Sequence, residues 1–158
     1  MISTASILKT LTFHFKKDGW VVTHFYIYRP SMIESFGVGD RSNTKLDQGG
    51  TIFLPEPHLC LVRKKVGLVF EVDYKYSKTA ICNILKIKNA DAKAPYLTKY
   101  FQGIIPRRVF YGFALPNTPV QVERAKKHCE DLDFIACVSR KYELSFLKHV
   151  AFDALCNF

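Results

Sequence analysis

The residues whose types and spacing could do chemistry fall in one short stretch. Across residues 66–76, Val66, Leu68, Phe70, Val72 and Tyr74 alternate with Val69, Glu71, Asp73 and Lys75. Side chains of a β-strand point to opposite faces in turn, so the first set shares an apolar face. Glu71, Asp73 and Lys75 then form a row on the other face. Neighbours in such a row stand about 7 Å apart. One or two carboxylates there can hold a hard cation such as Mg²⁺, which takes oxygen ligands and keeps water on its open positions. A lysine beside them can orient a metal-bound water or help deprotonate it, and can offset charge developing on a phosphate.

A row of this kind needs elements to hold it. Ser3 or Ser6 can cap a helix running to about Lys17, with Ile7, Leu8, Leu11 and Phe15 at helical spacing and Asp18-Gly19 to end it. Residues 21–28 are β-branched and aromatic, read as a strand, and are closed by Arg29-Pro30. Residues 31–50 have the Gly, Asp, Ser and Asn content of a long loop, and 51–54 form a short apolar stretch before Pro55-Glu56-Pro57-His58. Residues 59–63 and 66–74 read as two strands joined by a tight Lys64-Lys65 turn.

Helical spacing returns over 78–94, and Pro95 can open a further turn through Phe101. A strand is expected over 109–114. Thr118 and Pro119 then start a helix to about Leu132, and 134–138 form another strand. The tail, 143–158, is expected to be helical. Consecutive strands followed by strand–helix alternation predict the α/β (α+β) class, with a central mixed sheet and helices on both faces. The expected organisation is a single domain over 1–158, with a core of about 4–114 and an extension of about 118–158.

Composition narrows the function. The chain has 158 residues, 48% of them hydrophobic, which excludes disorder as its main state. No uncharged apolar run approaches 18 residues, and the first twenty residues, broken by Lys9 and Lys16-Lys17, lack a signal-peptide pattern. The expectation is no membrane. The five cysteines are odd in number and have no CxxC spacing, which predicts buried reduced thiols and a cytoplasmic, reducing location. His14 and His24 read as core or surface histidines, and His128 and Cys129 point to different sides of a helix, which argues against a Cys–His dyad.

The formal charge is +9, and it is concentrated. Between residues 75 and 108 lie Lys75, Lys78, Lys86, Lys88, Lys93, Lys99, Arg107 and Arg108, against Asp91 alone, so +7 falls within 34 residues. Tyr96, Tyr100 and Phe101 are interleaved with them, which suits phosphate contact with base stacking. A solvated helix face is the plain alternative.

Asp73-Tyr74-Lys75 at the end of an apolar strand, preceded by Pro55-Glu56-Pro57-His58 before the upstream strand, resembles the PD-(D/E)XK nuclease superfamily with its restriction-endonuclease-like fold. That family's motif is an acid, often after a proline, on one strand of a hairpin, then acid–any–Lys on the next. Its order of helix, three strands, helix and strand (αβββαβ) is similar to the order read here over residues 4 to about 114, with a C-terminal αβ extension. Alternation puts Glu56, His58, Cys60 and Val62 on one face, so either Glu56 or His58 can supply the upstream group.

The resemblance implies a Mg²⁺- or Mn²⁺-dependent endonuclease that hydrolyses phosphodiester bonds, with DNA favoured over RNA. Asp73, Glu71 and Glu56 would be metal ligands, with His58 as the alternative upstream group, and Lys75 would serve the attacking water. Lys78, Lys86, Lys93, Lys99, Arg107 and Arg108 would hold the nucleic acid, and a homodimer would cut both strands. The second expectation is a catalytically inactive nucleic-acid-binding module of the same fold, acting as an accessory factor. A third is a protein-interaction domain with a basic surface. Lys75→Ala separates the first two, since it should abolish cleavage and leave binding nearly intact.

Overall fold

The structure is a computed structural model that describes residues 2–27, 55–93 and 96–149. The expected loop at 31–50, the apolar stretch at 51–54, Arg29-Pro30, Pro95 and Cys156 lie outside the described residues.

Helix α1 spans Thr4–Lys17 and starts at Ser3, whose side chain accepts a hydrogen bond from the Ser6 amide at 3.1 Å. It buries Ile7, Leu8, Leu11 and Phe15, one stripe of an amphipathic helix, and His14, Lys16 and Lys17 in its last turn complement the helix dipole. Gly19 ends it with φ +88°, a left-handed conformation that glycine adopts at no steric cost.

Strands β1 (Val21–Phe25), β2 (Leu59–Arg63) and β3 (Val66–Val72) are antiparallel neighbours. Helix α2 (Lys78–Lys93) and a 3-10 helix (Tyr96–Phe101) lead to β4 (Arg108–Pro116), which pairs parallel with β3. Helix α3 (Pro119–Lys126), capped by Thr118, leads to β5 (Phe134–Val138), parallel with β4. Strand β6 (Leu144–Lys148) pairs antiparallel with β5, which closes a six-stranded mixed sheet in the order β1-β2-β3-β4-β5-β6. The protein is therefore α+β with an open mixed sheet. Among the described residues no helix is long and apolar enough to cross a membrane.

Alternation along β2 and β3 divides the core in two. Leu59, Leu61, Leu68, Phe70 and Val72 pack with Ile7, Leu8, Leu11 and Phe15 of α1. Cys60, Val62 and Val69 pack with Ile81, Ile84 and Ile87 of α2 and with Leu97 and Phe101. Helices thus cover both faces.

Three expectations change. The tail begins as the edge strand β6, whose ladder with β5 recruits Leu144 and Phe146 to one core and Leu147 to the other. Helix α3 stops at Lys126, and turns carry the chain to Leu132. Strand β3 ends at Val72, two residues short of the expected end, so Tyr74 and Lys75 are outside the ladder and exposed. The described cysteines are all free, with Cys60 and Cys137 buried and Cys82 exposed.

Gly67 opens β3 directly beneath the 3-10 helix. A Cβ there would come within 2.8 Å of Phe101 Cζ and 3.0 Å of Pro106 Cγ, closer than carbon atoms tolerate. Gly67→Ala should destabilise the protein by about 1–3 kcal/mol through overpacking, seen as a lower urea midpoint at unchanged m-value.

Candidate functional site

The potentially chemical side chains meet where β2 begins and β3 ends. Leu59 pairs with Phe70, so one step outward His58 comes level with Glu71. The His58 amide donates to the Phe70 carbonyl (3.1 Å) and its own carbonyl accepts from the Tyr26 amide (2.8 Å), so three strands hold the residue. His58 Nδ1 lies 2.8 Å from Glu71 Oε2. The Val72 amide reaches the same nitrogen at 3.2 Å. His58 is 6% exposed and Glu71 0%, which makes this a buried pair and not a surface contact.

A second pair lies beside it. His24 stands opposite Cys60 in the ladder, just past a register irregularity in β1, and its Nε2 is 3.0 Å from Glu56 Oε1. Such bulges re-aim side chains next to functional sites. Burial pulls the His24 pKa below its ordinary value, against the Glu56 carboxylate, which favours the charged ring. Tyr100 packs on His24 with ring centroids 4.7 Å apart, and burial with the Tyr96 hydroxyl and the Glu56 charge raises its phenol. Lys99 Nζ sits 5.3 Å over the Tyr96 ring and 4.9 Å over Tyr100, while the Tyr96 hydroxyl donates to the Pro55 carbonyl at 3.2 Å. Burial, with Glu71 and Glu56 adding to it, also raises the Cys60 thiol far enough to keep it protonated.

Asp73 completes the group from just beyond β3. Burial raises its carboxyl pKa, opposed by the Tyr74 and Lys75 amides and by the charges of His58 and Lys75. Residues whose titration is perturbed this way concentrate at functional sites.

Contacts and mutual electrostatics link Glu56 to His24, His24 to His58, and His58 to Glu71 and Asp73. Lys75 is exposed beyond the end of β3, lies 5.3 Å from the Tyr74 ring centre and lines a cleft with Asn117, Thr118 and Arg140, while its charge still acts on Asp73. With Glu71 as the acid opposite the upstream strand, the third position of acid–any–Lys is Asp73, and the residue after Pro57 is a histidine. The Mg²⁺ that the resemblance implies needs oxygens turned toward one point. Glu71 Oε2 is turned on His58 and Glu56 Oε1 on His24. Among the described residues no group of three or more His, Cys, Asp or Glu is placed to hold a metal ion.

The expected nucleic-acid contacts scatter. Lys78 is exposed at the start of α2, Lys86 is exposed farther along it, and the Lys93 side chain lies outside the described residues. Lys99 is exposed above its two tyrosines, whereas Phe101 is buried and unavailable for stacking. Arg108 pairs with Val66, so five strand positions, about 17 Å, separate it from the level of Glu71. Arg107 and Arg108 are at the opposite end of β3 from the carboxylates. There the Arg107 amide donates to the Lys65 carbonyl at 2.7 Å, which brings the exposed Lys64-Lys65 turn beside them.

Two other candidates are structural. Tyr111 donates to Asp91 Oδ2 at 2.7 Å and the Leu97 amide to Oδ1 at 3.2 Å, so Asp91 starts the 3-10 helix. His128 lies 2.9 Å from the Tyr76 hydroxyl and 3.4 Å from Asp131, which ties α3 to the segment after β3.

No family model, curated protein or solved structure matches the chain.

Two stability measurements test the site. His58→Ala, which removes the imidazole beside the buried Glu71 carboxyl, should cost about 1–3 kcal/mol in a urea melt. His58→Leu with Glu71→Met should recover most of that loss, and equal losses in both variants would mean the pair is not coupled. Asp73 has a raised folded pKa, so its share of stability is present below the ordinary 3.8 and is lost as pH rises through the folded value. Asp73→Asn should therefore be more stable than the parent at pH 7, with the advantage vanishing toward pH 3.

Proposed function

We propose that this chain is a nucleic-acid-binding module of restriction-endonuclease-like architecture, in which the position of the nuclease centre is occupied by histidine–carboxylate pairs. One observation carries the reading. Two turns, locked by the Arg107 amide on the Lys65 carbonyl, present Lys64, Lys65, Arg107 and Arg108 together at one end of the sheet. Four exposed cations on two hydrogen-bonded turns form a positioned phosphate-binding surface, because their backbones move as a unit. The exposed Ile105 beside them, at 76%, offers apolar contact to a sugar or base step.

The donor chemistry supports binding over cutting. Cleavage by the mechanism the resemblance implies needs a lysine in line with two oxygen ligands. Here Asp73 stands in that line, Lys75 faces elsewhere, and His58 takes the upstream acid's place opposite Glu71. The basic end also lies about 17 Å from that pair by strand rise.

Binding to duplex DNA should weaken steeply with salt, with a log–log slope of about −0.9 per phosphate neutralised. Replacing Lys64, Lys65, Arg107 and Arg108 together by alanine should reduce the slope's magnitude by about 3. With Mg²⁺ or Mn²⁺ present the bound DNA should stay intact. Strand cleavage that Asp73→Asn abolishes would establish the enzyme reading instead. An unchanged slope in the quadruple variant would remove the surface named here.

A further inference from the structure

A concave feature lies beyond the carboxyl ends of the parallel strands β3, β4 and β5. It is a cleft of about 290 Å³ whose walls include Lys75, Arg140, Tyr74, Asn117, Thr118 and Val138. The carboxyl edge of parallel strands is where open sheets most often receive ligands, because the chain leaves each strand there and side chains converge. We infer that this cleft binds a nucleoside monophosphate group, either as the phosphorylated end of a strand or as a free nucleotide.

Charge comes first. Lys75 and Arg140 are exposed, and among the described residues neither has a carboxylate within ion-pair distance. Among the described residues no acidic side chain lines the cleft. Asp73 feels Lys75 from just beyond β3, and Glu143 shares the turn that carries Arg140. Two exposed cations lining one cleft suit a phosphate, and the arginine fork matches its oxygens.

The remaining walls suit a nucleoside. Tyr74 is 43% exposed and gives a ring face for stacking, with Lys75 Nζ 5.3 Å from its centre. Asn117 and Thr118 supply polar groups. The volume falls at the small end of ligand pockets, which run from about 300 Å³, so one nucleotide fits and a dinucleotide does not.

The walls are already fixed. The Asn117 amide donates to the Val138 carbonyl at 2.8 Å, joining the ends of β4 and β5. Gln121 accepts from the Tyr76 amide, which ties the Lys75 segment to α3. Ser139 Oγ accepts from the Lys141 (3.2 Å) and Glu143 (3.1 Å) amides, which sets the turn bearing Arg140. A site with preset walls loses little entropy on binding.

For the strand-end source the inference rests on the nucleic-acid reading above; for a free nucleotide it stands alone. The test uses the full chain and an internally labelled hairpin duplex with one free end, phosphorylated (5′ or 3′) or left as hydroxyl, read by fluorescence anisotropy. A terminal phosphate should tighten binding about tenfold through charge-assisted hydrogen bonds. Lys75→Gln and Arg140→Gln should each remove that gain and leave the hydroxyl-ended duplex bound as before. Calorimetry with deoxyadenosine monophosphate alone, against the same variants, tests the free nucleotide. Uptake there without an end effect assigns the cleft to free nucleotide. Mononucleotide binding without duplex binding keeps the cleft and removes the module reading. Duplex binding that ignores the terminal phosphate, with no mononucleotide uptake, overturns the inference and leaves the module reading intact.

Discussion

Glu71 is the group to which the rest of the sheet is accommodated. A carboxyl group with none of its surface exposed loses its hydration on folding, and a close polar partner offsets that cost. That partner is His58, 2.8 Å away on the adjacent strand. The pair exists in one register, because a slip of one residue turns Glu71 onto the other face, toward Phe15 and the α1 core. The same register sends Cys60 and Val69 toward α2 and Leu61 and Phe70 toward α1. A hairpin with only apolar contacts would tolerate misalignment more readily. The buried polar pair therefore specifies alignment more than it adds stability, a role that buried polar groups fill in other folds.

The hairpin also gives the molecule two chemically opposite ends. Strand β3 starts at the basic turns and finishes among carboxylates and histidines. At the carboxylate end the polar side chains are mutually engaged: Glu56 with His24, Glu71 with His58, and Lys99 over two tyrosines. At the other end the cations are exposed beside an isoleucine with most of its surface in water. Internal pairing favours a rigid scaffold, and exposed cations favour a polyanion. Function on this reading sits at the end where the chain has left its charges to solvent.

Much of this was legible from residue order, and what was not has identifiable causes. Ser3 before an apolar stripe, Lys64-Lys65 between apolar runs and Thr118-Pro119 each carry a local signal, and each marks an element boundary in the structure. Alternation put Glu71 with Asp73, and Glu56 with His58, whereas the structure pairs Glu71 with His58 and Glu56 with His24. The row extended to Lys75 because alternation has no stop of its own, whereas β3 ends when its ladder with β4 ends at Ala114. The role of His24 was invisible, since it depends on pairing across more than thirty residues. The basic run looked continuous along the chain, yet the parallel crossover through α2 carries Arg107 and Arg108 back to the start of β3. Strand β6 was read as helix because an edge strand owes its shape to its neighbour.

The central claim is that Glu71 Oε2 is committed to His58, 2.8 Å away, and not to a metal ion at the end of β3. Titrating the nitrogen-15-labelled chain with paramagnetic Mn²⁺ tests it most directly. The account predicts that the amide signals of Val72, Asp73 and Tyr74 keep their intensity relative to the rest of the sheet at one equivalent of Mn²⁺. Selective loss of those three signals at substoichiometric metal would contradict it.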